Sequence, residues 1–152
     1  GFLAVEPNRP KWLRALEIGV KEEHLQMAAD FRRSGVSMEE AREKLMAAGA
    51  HPAIMDTLAG MYGFVQFHDR KDLPGLLQEL KDIIPYSFEM HGKFHYLGDD
   101  GKEASIPYED ILPVLKESSF DGYLICEYED EMYCGGTEFT KRQLAMEKRI
   151  LG

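Results

Sequence analysis

The sequence has only two cysteines, Cys126 and Cys134, a single tryptophan, and no apolar run near the roughly 18 to 20 residues that cross a bilayer. Two cysteines outside any zinc-type spacing exclude a disulfide scaffold and a Cys-based zinc framework. Nothing resembles a charged segment followed by an apolar secretory core, so the expectation is a reduced, soluble, cytoplasmic protein with no membrane partner. Positive charge is also scarce. Lys and Arg number 18 against 27 Asp and Glu, a formal net charge of −9, and the basic residues form no cluster. Binding along a phosphate backbone runs on clustered Lys and Arg, so a nucleic-acid partner is not expected.

What is present is enough apolar residue for a core, 44% of 152 residues, which suits one domain. Residues 2–5, FLAV, form a short apolar run closed by Pro7-Asn8-Arg9-Pro10, the pattern of a buried strand ending in a loop. Helical spacing follows over 11–18 and 21–33, with Gly35 as a stop. Ser37 and Glu40 have capping-box spacing and open a third helix to about Ala48, before Gly49. Residues 53–68 repeat apolar positions at helical intervals, and Leu73-Pro74 opens a further helix that Pro85 stops. Pro107 begins another, which Pro113 is expected to kink or shorten. Residues 122–129 read as a strand and 138–151 as a terminal helix.

Residues 87–96, SFEMHGKFHY, alternate chemistry with apolar bulk. On a strand Ser87, Glu89, His91, Lys93 and His95 share one face, while Phe88, Met90, Gly92, Phe94 and Tyr96 share the other. Residues 123–129, YLICEYE, repeat the arrangement, with Tyr123, Ile125, Glu127 and Glu129 on one face. The order helix, strand, helix, strand, helix implies parallel strands with a helical crossover, which puts His91 and Glu127 at one end of a sheet. Ligands of α/β folds bind beyond the carboxyl ends of the strands. A histidine beside carboxylates suits a divalent cation. Taken singly, each of these residues is an ordinary exposed or salt-bridged side chain, and Glu89 with Lys93 would make a structural ion pair. Jointly they favour a site.

The run HGKFHYLGDDGKEASIPYEDILPVLKESSFDGYLICEYE, residues 91–129, resembles the last two strand units of the xylose isomerase-like sugar phosphate isomerase/epimerase superfamily. Its HGKF, SIPY and EYE motifs look closest to the barrel subunit of C-glycoside deglycosidases. The resemblance implies the C-terminal portion of a (β/α)8 TIM barrel spanning 1–152, with a helical segment or insertion over 11–84, the metal-bearing strand units over 85–130 and a terminal helix over 137–152. It further implies a divalent metal, Mn first and otherwise Zn, Co, Fe or Mg, with His91 and Glu127 as ligands and Glu6 as the candidate from the preceding strand, where the family more often has Asp. Lys93 would donate to a substrate oxygen, and His95 would orient substrate or assist its leaving group. The family's first glutamate ligand has no counterpart here.

A barrel needs about eight βα units and some 250 residues. The chain is therefore expected to associate with the missing barrel portion, or to form a homo- or hetero-oligomer. The expected activity is metal-dependent isomerisation or epimerisation of a sugar or keto-sugar through an enediolate, or cleavage of a 3-oxo-glycoside through an enolate. In an isomerase, Glu127 would also shuttle the proton. The alternative is a non-catalytic fragment or accessory subunit that completes a partner chain; a helical binding module over 11–84 would leave the polar strand faces unexplained. Trp12, Met27, Met38, Met46, Met55 and Cys126 are expected to pack, and Cys134, in a glycine-rich loop, to play no part.

Overall fold

The computed structural model describes residues 3–63, 67–129 and 136–152. The first half is helical: α1 (Arg9–Glu17), α2 (Glu22–Arg33), α3 (Met38–Ala47) and α4 (Ile54–Tyr62). Asn8 caps α1 by accepting from the Lys11 amide at 3.0 Å, and Pro10 sits in the first turn, where its missing N–H costs nothing. Ser37 caps α3 in the expected way, its hydroxyl accepting from the Glu40 amide at 3.2 Å. Gly35 and Gly49 follow α2 and α3 at φ of +73° and +75°, a left-handed conformation that stops a helix and favours glycine. Leu25, Ala28, Ala29, Ala41, Leu45, Ile54 and Leu58 carry the core between α2, α3 and α4. The alanines keep these helices close.

Some expectations for this half are corrected. Residues 3–5 are not a strand. The Val5 and Glu6 amides donate to Ser105 O at 2.9 and 3.3 Å, and Ala4 O accepts from the His68 amide at 2.8 Å, so loops rather than a ladder take up this backbone. α4 stops at Tyr62 instead of running to His68; Gly60 and Gly63 weaken it, and Gly63 is extended. Residues 64–66 of that expected helix lie outside the described residues. Trp12, Met27 and Met55 pack in or against the core, but Met38 and Met46 are exposed, because α3 buries only Ala41 and Leu45.

The second half runs α5 (Leu73–Ile83), β1 (Glu89–Phe94), α6 (Tyr108–Glu117), β2 (Tyr123–Tyr128) and α7 (Gly136–Leu151). α6 continues through Pro113 for four more residues. β1 and β2 are parallel neighbours, with Glu89 opposite Tyr123 and Lys93 opposite Glu127. One face of this pair packs: Phe94 is fully buried, Tyr128 lies 5.3 Å from it, and Phe139 of α7 stacks on Tyr128 at 5.6 Å. The other face is open. Tyr123 there is 79% exposed and Ile125 40%.

Phe88 O accepts from the Tyr123 amide and Phe94 O from the Glu129 amide. Even-numbered residues of β1 therefore point their backbone at β2, and Glu89, His91 and Lys93 point theirs away from it. An open cavity of about 340 Å³ runs beside β1, with Leu3, Ile83, Met90, His91, Leu112 and Leu124 among its walls.

Candidate functional site

The site starts from the alternation of β1. Glu89, His91 and Lys93 lie on the open face, and the parallel register brings Glu127 of β2 between His91 and Lys93. His91 Nδ1 is 2.7 Å from Glu127 Oε2, and Lys93 Nζ is 3.3 Å from Glu127 Oε1. Lys93 also pairs with Glu129, and His91 Nε2 lies 3.7 Å from Glu89 Oε1. The order along this line is Glu89, His91, Glu127, Lys93, Glu129: acid and base alternate, and every charge has an opposite neighbour.

These contacts move the titrations in consistent directions. The His91 hydrogen bond, then the Lys93 one, lowers the Glu127 carboxyl. The bond to Glu127 raises His91 against the opposing effect of desolvation. Glu129, and secondarily Glu127, raises Lys93. An ionised Glu127 is an acceptor only, so His91 Nδ1–H donates to it and Nε2 is the nitrogen left for a ligand.

The expected residues fall into two groups. His91, Lys93 and Glu127 come together, and Glu129 joins them as the residue that holds Lys93. The anticipated pair of Glu89 with Lys93 is replaced by Glu89 beside His91 and Lys93 between Glu127 and Glu129, since i,i+4 positions on a strand are too far apart to meet.

Glu6 stands elsewhere. Its Oε2 accepts from Arg33 Nη2 at 2.7 Å, and Arg33 also bonds Asp30, so Glu6 ties the N-terminal segment to α2. His95 follows the strand and is buried rather than solvated; its backbone N–H donates to Glu103 Oε1 at 3.1 Å. Cys126 is half-buried with its thiol 3.3 Å from Glu147 Oε2, and Cys134 lies outside the described residues.

For a divalent cation the donor types fit, and the present contact defines how. Two ligands of a tetrahedral ion at about 2.1 Å stand roughly 3.4 Å apart. His91 Nδ1 and Glu127 Oε2 are closer, at hydrogen-bonding distance. An ion would therefore be bound through His91 Nε2 with Glu127 orienting the ring, or would separate the pair. Among the described residues no group of three His, Cys, Asp or Glu side chains is arranged to hold a metal.

Glu103 is a structural determinant that sequence reasoning missed. It is buried, and its carboxylate accepts four backbone N–H groups: His95 at 3.1 Å and Tyr96 at 3.2 Å on Oε1, Ser105 at 2.6 Å and Ile106 on Oε2. The loop after β1 is thus folded round one side chain. Ser105 carries the connection onward, its hydroxyl donating to Pro7 O at 3.0 Å. The available signal was an acceptor two residues ahead of Ser105 in a turn-rich stretch.

No family model matches the chain. It is distantly similar to the alpha subunits of bacterial deglycosidases. Identity is 27% over 111 residues with the 3'-dehydrocarminate deglycosidase alpha subunit of a Microbacterium species, covering 73% of this chain and 28% of that one. It is 26% over 129 residues with a C-glycoside deglycosidase alpha subunit of Arthrobacter globiformis, covering 82% and 35%. A C-glycoside deglycosidase alpha subunit of Microbacterium trichothecenolyticum is 32% identical over 56 residues, 37% of this chain and 15% of that one. The two longer matches thus take in about a third of the relatives' length. No helix among the described residues is long and apolar enough to cross a membrane.

Proposed function

We propose that this chain takes part in cleaving the bond between a sugar and its aglycone, acting on a 3-oxo-glycoside, and that His91, Lys93 and Glu127 are its share of the site. The observation that carries this is the convergence of those three side chains on adjoining parallel strands, in a chain whose relatives are named as deglycosidase subunits. The name of one relative specifies a 3'-dehydro substrate. A carbonyl at C3 acidifies the C2 hydrogen. Transfer of that proton to a base from outside the described residues leaves an enolate, whose electron pair forms the C1–C2 double bond as the C1–aglycone bond breaks and the aglycone leaves with its electrons, to be protonated by the same group.

Lys93 would donate to the oxygen on which negative charge develops, and it keeps its proton because Glu129 and Glu127 hold it. Glu127 is drawn toward its ionised form, which suits holding a charge and orienting His91 better than it suits strong basicity. A divalent cation, held through His91 and Glu127 with ligands from outside the described residues, would polarise the carbonyl. The same groups would serve an isomerase or epimerase, and His95 would need to move from its buried position to reach substrate. In the protein as isolated, release of aglycone from a 3-oxo-glycoside, followed by absorbance, tests the proposal. We expect Lys93→Met to lower kcat at least 100-fold with KM little changed; full activity in that variant would overturn the role of Lys93.

A second reading has an observation in its favour. The outward-pointing backbone of Glu89, His91 and Lys93 and the exposed Tyr123 and Ile125 fit a chain that completes the sheet of a partner. In that case each carboxylate of the cluster is answered by His91 or Lys93 without a cation, and the Lys93 variant is silent.

A further inference from the structure

Behind the His91–Glu127 pair, on the packed side of the sheet, four polar side chains meet at the glycine of β1. Glu147 of α7 accepts from Gln143 Nε2 at 2.9 Å on Oε1, and its Oε2 lies 3.3 Å from the Cys126 thiol on β2. Tyr108 of α6 donates its hydroxyl to Lys93 O at 2.8 Å. Gly92 lies against both: a Cβ added there would be 3.2 Å from Glu147 Oε1 and 3.2 Å from the Tyr108 hydroxyl. Gly92 is also the register partner of Cys126. One carboxyl group thus touches both strands, at the residue after His91 and the residue before Glu127.

Burial works against charge on these groups. Glu147 is 5% exposed, and burial raises its carboxyl; burial pushes the Cys126 thiol up to about 12 and raises the Tyr108 hydroxyl also. Gln143 is fully buried, and its Oε1 has no hydrogen-bond partner.

We propose that the Glu147 side chain, with Gln143 and Tyr108, is a positioning device that fixes β1 against β2 at Gly92 and Cys126 and so sets the approach of His91 to Glu127. Glu147 touches neither site residue; it acts through the two strands. The device explains why a glycine separates His91 from Lys93. A Cβ there would press on both the carboxyl group and the tyrosine hydroxyl, which would have to give by a few tenths of an ångström.

This inference rests on taking His91 and Glu127 as the working pair, but its test reads their hydrogen bond directly and needs neither substrate nor metal. In the 15N-labelled protein, the His91 ring proton bonded to Glu127 gives a downfield NMR signal, assigned by its loss in His91→Gln. We expect it to persist in Glu147→Gln, which keeps a hydrogen-bonding group of the same shape, and to be lost in Glu147→Leu, Gly92→Ala and Tyr108→Phe. If Glu147→Leu does not fold, the milder Tyr108→Phe and Gly92→Ala decide. An unchanged signal in folded Tyr108→Phe and Gly92→Ala, or its loss in Glu147→Gln as in Glu147→Leu, overturns the proposal.

Discussion

His91 on β1 reaches Glu127 on β2 across the parallel ladder, with Nδ1 2.7 Å from Oε2. They are not register partners; Glu127 pairs with Lys93, one alternation further along. The histidine therefore reaches diagonally to a carboxylate that the lysine also holds. This geometry has consequences for titration, stability and reactivity.

Because Glu127 raises His91, the imidazole titrates above its ordinary value of about 6.5. Its stabilising share is complete below that value and is lost as pH rises through the folded pKa. Glu127 is lowered, so its share is present above about 4.3 and is lost as pH falls through its folded pKa. Thermal melts of metal-free protein from pH 3 to 9 should show the gap in Tm between wild type and His91→Ala widest between roughly pH 4.5 and 6.5. A gap that does not vary with pH contradicts the ion pair.

Glu103 accepts four backbone N–H groups in a buried loop. Glu103→Ala leaves them without an acceptor, and leaving even one such group unmade costs about 1–3 kcal/mol. Urea unfolding should register a loss of about 3 kcal/mol or more; a change under about 1 kcal/mol would mean the loop holds its shape by other means.

Cys126 should be inert. With its thiol near 12, the thiolate fraction at pH 8 falls about three orders of magnitude below that of a free cysteine. Mass mapping after iodoacetamide treatment should find Cys126 unmodified in folded protein and modified in urea. Prompt labelling of the native state contradicts the contact with Glu147.

Backbone direction along β1 predicts an alternating exchange pattern. Amides of Met90 and Gly92, which face β2, should exchange slowly, and those of Glu89, His91 and Lys93 quickly. Hydrogen exchange by NMR distinguishes this from uniform protection, which would require a further strand on the β1 edge.

Much of this arrangement was legible in the sequence because strand alternation has a period of two and leaves no choice of face. His91, Lys93 and Glu127 were placed together from that period and the helix between the strands, and Ser37 announced α3 through its spacing to Glu40. What failed had competing physics. Residues 3–5 are apolar enough for a strand, yet their backbone bonds to Ser105 and His68 instead. Glu6 was the ligand candidate that the family resemblance implied for the preceding strand, but its partner Arg33 is 27 residues away and no local pattern foretells that pair. Glu103 was passed over because it acts only once the backbone of its own loop, from His95 to Ile106, has closed round it, and Glu147 because its contact with Cys126 forms only when α7 packs on β2. The barrel that the family resemblance implies would need strands beyond the two described.

The central claim is that His91 and Glu127 serve a cation-assisted cleavage, and metal content of the purified protein, in whatever assembly it is isolated, tests it most directly. The account predicts close to one Mn, Zn, Co or Fe per chain, lost in the His91→Ala, Glu127→Gln double variant. No metal in either protein, or the same metal in both, contradicts it and leaves the partner-completing reading in its place.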